Sequence, residues 1–206
     1  MANITCKLLS WEEMASLAKK SAQKIKESSF VPDAVVAVAR GGVVPGRLFC
    51  DSLFLKEYYS VKVDHWGLTA TKDGSARLTQ KLSADIKGKK ILLVDDITDT
   101  GDSISLAKKH LMEMQPQEIK TATLIHLKGS KFVPDFFGED RDWSWIVFPW
   151  NYMEDMVNLT RKIENYESFS AEALGKEFKQ RYDLQVKAEQ LREVLNQLLY
   201  LKKVKK

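Results

Sequence analysis

The chain is poor in the residues that staple small or secreted proteins. Its 206 residues include only two cysteines, Cys6 and Cys50. Two cysteines cannot build a disulfide framework, and neither belongs to a metal-type spacing, so a reducing cytoplasmic setting is expected. No apolar stretch approaches the ~20 residues of a membrane span. The first ten residues lack the charged start and apolar run of a signal peptide. The three histidines, His65, His110 and His126, share no ligand spacing and read as structural. Neither G-x-G-x-x-G nor the P-loop string occurs, which argues against a dinucleotide enzyme or a P-loop nucleotide hydrolase. Charge of one sign barely dominates. The net charge of +4 comes from 32 Lys and Arg against 28 Asp and Glu. That excess suits a small anionic substrate and is too weak to indicate nucleic acid.

What is present describes an ordinary globular protein: 44% hydrophobic and 29% charged residues, enough for one core with an appendage. A capping box at Ser10 and Glu13 opens a helix over 10–27, with an apolar stripe of Trp11, Met14, Leu17, Ala18, Ala22 and Ile25. Ala34 to Ala39 is a continuous apolar run of the kind that forms a buried parallel strand, and it ends in Arg40-Gly41-Gly42. A helix to about Leu55 follows, with Pro45 in its first turn. Val61 to Trp66 reads as a strand and residues 67–87 as a long polar loop. Lys89 to Asp96 is the clearest strand. It precedes a helix over 103–114, a strand over 119–127, a loop over 134–142 and a short strand over 145–148. Strands alternating with helices predict an α/β fold with a mostly parallel central sheet and helices on both faces. Ligands of such folds bind beyond the carboxyl ends of the strands, where Arg40-Gly41-Gly42 and Asp95-Asp96 both fall. The organisation expected is a main domain over 1–160 and a helical C-terminal extension over 161–206, packed on the domain or on a second subunit.

The stretch Ile91 to Ser103, ILLVDDITDTGDS, carries the chemistry. An apolar strand ends in two carboxylates and runs through a short loop into a helix. Thr100, Gly101, Asp102 and Ser103 surround the helix N-terminus, where free backbone N–H groups and the helix dipole favour a phosphate. Gly101 permits close approach. Asp95 and Asp96 can accept hydrogen bonds from ribose hydroxyls or hold Mg²⁺.

This string resembles the phosphoribosyl pyrophosphate (PRPP) motif of type I phosphoribosyltransferases. Three further stretches resemble the same family in the same order. Residues 39–46 (ARGGVVPG) are similar to a pyrophosphate loop. Lys128 with Val133-Pro134-Asp135-Phe136-Phe137-Gly138 resembles the base-lysine segment of hypoxanthine–guanine enzymes. Residues 145–150 (WIVFPW) resemble the purine-stacking segment of xanthine–guanine enzymes. The resemblance implies a type I phosphoribosyltransferase fold, with 67–87 as a hood over the site. It also implies Mg²⁺-dependent transfer of phosphoribosyl from PRPP to N9 of hypoxanthine, guanine or xanthine, releasing pyrophosphate.

The roles it implies follow residue by residue. Arg40 and Gly41 bind pyrophosphate. Asp95 and Asp96 meet the ribose hydroxyls, and Asp96 is the first choice as metal contact. Asp99 handles the proton at purine N7. Thr100, Gly101, Asp102 and Ser103 hold the 5′-phosphate, with Asp102 contributing its main chain because an acid beside a phosphate is unfavourable unless its side chain points away. Lys128 donates to the exocyclic oxygen of the base. Trp145 stacks on the purine, and Ile146 offers backbone groups near C2. Asn151 replaces the acid of xanthine–guanine enzymes. Thr69, Lys72, Arg77 and Lys81 are available in the hood. The expected assembly is a homodimer or tetramer, with no membrane or nucleic-acid partner. The competing expectation is a non-catalytic PRPP-sensing regulator of the same fold. The presence of Lys128, Asp99 and Trp145 argues for the enzyme.

Overall fold

The computed structural model describes residues 4–65 and 76–204. In chain order the elements are β1 (Cys6–Leu8), α1 (Trp11–Glu27), β2 (Ala34–Ala39), α2 (Val43–Leu53), β3 (Glu57–His65), β4 (Ala76–Gln80), β5 (Lys90–Val94) and β6 (Ile97–Thr98). After these come α3 (Asp102–Met112), β7 (Glu118–Leu127), β8 (Phe136–Arg141), β9 (Trp145–Val147), α4 (Tyr152–Arg161), α5 (Ala171–Tyr182) and α6 (Ala188–Val204). They group into two compact units. Of the described residues, one holds 11–65 and 76–143; the other holds 4–10 and 144–204.

The larger unit is built on a seven-stranded sheet. Strands β2, β3, β5, β6, β7 and β8 run parallel, and β4 adds an antiparallel edge beside β3. β2 and β5 sit at the centre, and Ala34 to Ala37 and Ile91 to Val94 are completely buried. A strand covered on both faces needs apolar residues at every position, which is why these two read as unbroken runs. Alternate residues face opposite ways. Val36, Val38, Ile91 and Leu93 pack with Ile104, Ala107 and Leu111 of α3. On the other face α2 lies close enough that a Cβ at Gly46 would sit 3.1 Å from the Ala37 methyl.

β5 and β6 are one line of the sheet, interrupted. The pairing Val94 to Ala122 resumes as Ile97 to Ile125 with no residue gained or lost. At the gap the Asp95 N–H still donates to the Ala122 carbonyl (3.1 Å), and Leu124 and Ile125 both donate to the Asp96 carbonyl (3.1 and 3.2 Å). The two acids therefore stand in the sheet while their side chains break its apolar pattern.

Several expectations are corrected. Residues 134–142 contain β8, parallel to β7, rather than only loop. Gly138, within that stretch, lies where α1 crosses the strand: a Cβ there would meet the Leu17 and Leu124 carbonyl oxygens at 2.7 and 2.8 Å. A strand glycine of this kind marks close approach, not a turn. The stretch 67–87 includes β4, which pairs with β3 over Lys62 to His65. Thr69 and Lys72 lie outside the described residues, while Arg77 is exposed on β4 and Lys81 is exposed just after it. Strand β9 does not join the main sheet. It pairs in parallel with β1, Cys6 opposite Trp145 and Leu8 opposite Val147.

The smaller unit has its own core. Cys6, Met156, Leu159 and Ile163 pack with Leu174, Phe178, Leu191 and Leu198, so the C-terminal helices share a core with β1 and α4. Tyr182 donates from its hydroxyl to the Leu159 carbonyl at 2.8 Å, and Ser170 caps α5 by accepting from the Ala173 N–H. Burial is the main influence on the Cys6 thiol, with Asp155 second, and together they push its pKa up to about 12. This makes it an inert core group. Among the described residues no helix is long and apolar enough to cross a membrane.

Candidate active site

Parallel strands of one sheet deliver their carboxyl ends to one edge. β2, β5 and β7 are consecutive neighbours, and the loops leaving them carry most of the residues singled out in the sequence. At the end of β2 the Ala39–Arg40 peptide is cis. The Gly42 N–H donates back to the Val38 carbonyl at 2.9 Å, which turns the chain into α2. Both glycines are required by what surrounds them. A Cβ on Gly41 would overlap the Asp96 carboxylate, and one on Gly42 would lie 2.8 Å from the Val38 oxygen and 2.9 Å from the Asp95 Cα. The Arg40-Gly41-Gly42 turn is thus pressed against the acid pair. Arg40 is exposed.

Asp95 and Asp96 are 8% and 7% exposed, unusually low for adjacent acids. Burial, and then the neighbouring Asp96 charge, push the Asp95 carboxyl well above the usual carboxylate range. The Asp96 N–H that it accepts at 3.0 Å opposes this. Two charges confined in this way favour a shared proton, a bound cation or donors from a ligand.

Asp99 and Thr100 follow, both half-buried. Gly101 then adopts φ +86°, the left-handed region open to glycine, as N-cap of α3. A Cβ at Gly101 would collide with the Phe132 side chain, so the phosphate-type loop rests on the loop that follows β7. Asp102 is exposed, and its carboxylate accepts a 2.9 Å hydrogen bond from the Thr100 hydroxyl. The Asp102 N–H in turn donates to that hydroxyl at 3.3 Å. The acid is therefore folded onto its own loop. Ser103 is half-buried in the first turn of α3.

Lys128 extends from the end of β7, its N–H still in the ladder through the Arg141 carbonyl at 2.8 Å. Its ammonium meets Asp142 at 3.2 Å, with side chains 56% and 89% exposed. An ion pair this open is weak and exchanges readily for another acceptor. The loop beyond Lys128 is pinned by Asp135, which accepts from the Thr121 N–H (2.9 Å), the Thr121 hydroxyl (2.8 Å) and Lys120 (3.0 Å).

Arg40, Gly41, Asp95, Asp96, Asp99, Thr100, Gly101, Asp102, Ser103 and Lys128 all belong to the larger unit. Trp145 and Ile146 belong to the smaller one. There Ile146 is buried, while Trp145 packs on the helical core and donates its indole N–H to Asp155 at 3.3 Å. Phe132 and Asp142 were not foreseen as parts of the site, since each acts through a neighbour distant in sequence. Among the described residues no group of three or more His, Cys, Asp and Glu side chains is placed to hold a metal.

An α/β sheet with an acid pair and a phosphate-type loop at the strand ends has known counterparts. The chain is 27% identical over 143 residues to the xanthine-guanine phosphoribosyltransferase of Idiomarina loihiensis, covering 69% of this chain and 85% of that protein. It is 30% identical over 141 residues to the hypoxanthine-guanine phosphoribosyltransferase of Aquifex aeolicus, covering 64% and 77%. The crystal structure of a purine phosphoribosyltransferase from Pyrococcus horikoshii superposes with a TM-score of 0.63 at 27% identity, over 71% of this chain and 94% of that one. The model of the phosphoribosyl transferase domain matches residues 6–155, well over half of the sequence, and the chain belongs to that family.

Proposed function

We propose that this protein is a cytoplasmic purine-salvage phosphoribosyltransferase. It joins N9 of hypoxanthine, guanine or xanthine to C1 of the PRPP ribose, and pyrophosphate leaves. One observation carries the reading: the Arg40-Gly41-Gly42 turn, the Asp95-Asp96 pair, the Asp99–Ser103 loop and Lys128 occupy the carboxyl ends of three adjacent strands in a chain of this family.

Each group has a task suited to its chemistry. The N-terminus of α3, with the Thr100 hydroxyl, receives the 5′-phosphate through backbone donors and the helix dipole. Thr100 and the Asp102 N–H, which now bond to each other, turn to the phosphate, and Asp102 contributes its main chain. Asp95 and Asp96 accept from the ribose hydroxyls. Arg40 and the Gly41 backbone face the leaving pyrophosphate. As the N9–C1 bond forms and the C1–oxygen bond breaks, positive charge spreads over the ribose and negative charge grows on pyrophosphate. Asp99 accepts the proton that the purine sheds at N7. Lys128 exchanges Asp142 for the C6 oxygen of the base. It has only donors to offer, so a 6-oxo group is accepted and the amino group of adenine is not.

The acid pair also fits magnesium, which takes one or two protein carboxylates and fills its shell with phosphate oxygens and water. Asp96, then Asp95, would hold it, and the repulsion between the two carboxylates would be relieved. When bound, the ion supplies positive charge to the pyrophosphate. Self-association into a dimer or tetramer is supported by the exposed Leu199, Tyr200 and Val204 of α6. In steady-state assays of pyrophosphate release, Asp99→Asn is expected to lower kcat by about 100-fold or more. Lys128→Ala is expected to raise the KM for the base while leaving that for PRPP unchanged. Variants that turn over like the wild type would remove these two roles.

A further inference from the structure

The short strand that carries Asp99 into the site is held by more than its ladder. β6 is two residues long and pairs with β7 only through Ile97 to Ile125 and Thr98 to His126. On one side it adjoins the Asp95-Asp96 interruption, and on the other the Asp99–Gly101 loop. Across the second pair, Thr98 Oγ1 and His126 Nδ1 are 2.9 Å apart. Thr98 is 1% exposed and His126 8%. The Phe137 ring of β8 packs against the imidazole, with centroids 5.3 Å apart. Burial, slightly opposed by Asp140, lowers the His126 pKa. The neutral ring then has one nitrogen free to accept and one to donate. Two apolar residues would fill the same space without the cost of burying polar groups. A directional bond fixes the separation and angle of two strands as apolar contact does not, and it is stronger in a dry interior.

The position of this bond gives it a consequence. Thr98 immediately precedes Asp99, and His126 lies two residues before Lys128. We propose that Thr98 and His126 are positioning residues for the reaction: their hydrogen bond staples the strand bearing Asp99 to the strand bearing Lys128. It thereby sets the distance between the carboxylate that takes the purine proton and the ammonium that holds the purine oxygen. The inference rests on the function proposed above and adds a pair that touches no substrate.

The test is a kinetic cycle on the full-length protein. Thr98→Val keeps the shape and removes the hydroxyl; Thr98→Ser keeps the hydroxyl. Misplacing a catalytic group by a fraction of an ångström to one ångström costs on the order of 10- to 100-fold. Thr98→Val is therefore expected to lower kcat by about that factor, with the KM for PRPP and the far-ultraviolet spectrum unchanged, and Thr98→Ser to restore most of the loss. The same Thr98→Val change in an Asp99→Asn background is expected to have little further effect, because the group being positioned is gone. An unchanged kcat in Thr98→Val would overturn the proposal, and so would an equal loss in both backgrounds, which marks a purely structural role. If Thr98→Val fails to fold, His126→Gln in the same two backgrounds gives the same comparison. A wild-type protein that turns over no purine at all would instead remove the function on which the proposal rests.

Discussion

Asp95 is held in place at the expense of the fold. Its carboxyl is buried beside Asp96, and its folded-state pKa lies well above the ordinary 3.8. An acid of this kind keeps its proton longer in the folded chain than in the unfolded one. Its contribution to stability therefore falls as pH rises from the unfolded value toward the raised folded value. Asp95→Asn is expected to be more stable to urea than the wild type at pH 7, with the advantage shrinking toward pH 4, and to bind PRPP more weakly. Urea midpoints at the two pH values, with PRPP titrations, check both. The acid pair, Gly101 and Lys128 were legible because a single short string carries each. Partners distant in sequence were not. Nothing near Gly101 announces Phe132, and nothing near Lys128 announces Asp142, since such contacts arise only when loops from different strands meet. Asp102 was expected to serve the phosphate loop through its main chain; its carboxylate accepts from the Thr100 hydroxyl within that loop. Sequence alone does not say which of two nearby donors a short side chain will choose.

Among the elements, β2, β5 and β7 were readable because burial on both faces demands continuous apolar residues. β8 was not. It lies on the rim of the sheet, its residues FFGEDR are mostly half-buried, and its glycine serves α1 rather than a turn. Asp135 compensates for this weak pattern by tying the start of β8 to Thr121 and Lys120. Burial alone would raise its pKa, but Lys120 and the Thr121 donors outweigh it and lower it. The stability it contributes is present above the ordinary 3.8 and is lost as pH falls through the lower folded value. Asp135→Ala is expected to cost roughly 1–3 kcal/mol at pH 7 through the lost hydrogen bonds. The gap from wild type should narrow below about pH 4. Denaturant melts across that range would contradict the assignment if the gap stayed constant.

At the scale of the whole molecule, 161–206 was read as a helical extension, and its helices form part of a core with α4 and β1. Deleting 165–206 removes Leu174, Phe178 and Leu191 and leaves Met156, Leu159 and Ile163 uncovered. Loss of a single buried aromatic side chain already costs about 3–5 kcal/mol. The truncated protein is therefore expected to lose cooperative folding of this unit and to aggregate, visible as a lost melting transition and a rising light-scattering signal. A monodisperse truncated protein with native melting would show that the helices are dispensable. The proposed chemistry lies at the strand ends. Its most direct test offers the intact protein PRPP, Mg²⁺ and, one at a time, hypoxanthine, guanine, xanthine, adenine and orotate, and follows pyrophosphate release. Turnover with one or more of the 6-oxopurines and none with adenine or orotate is the predicted result. PRPP binding without turnover of any base would contradict the account and make the protein a PRPP sensor.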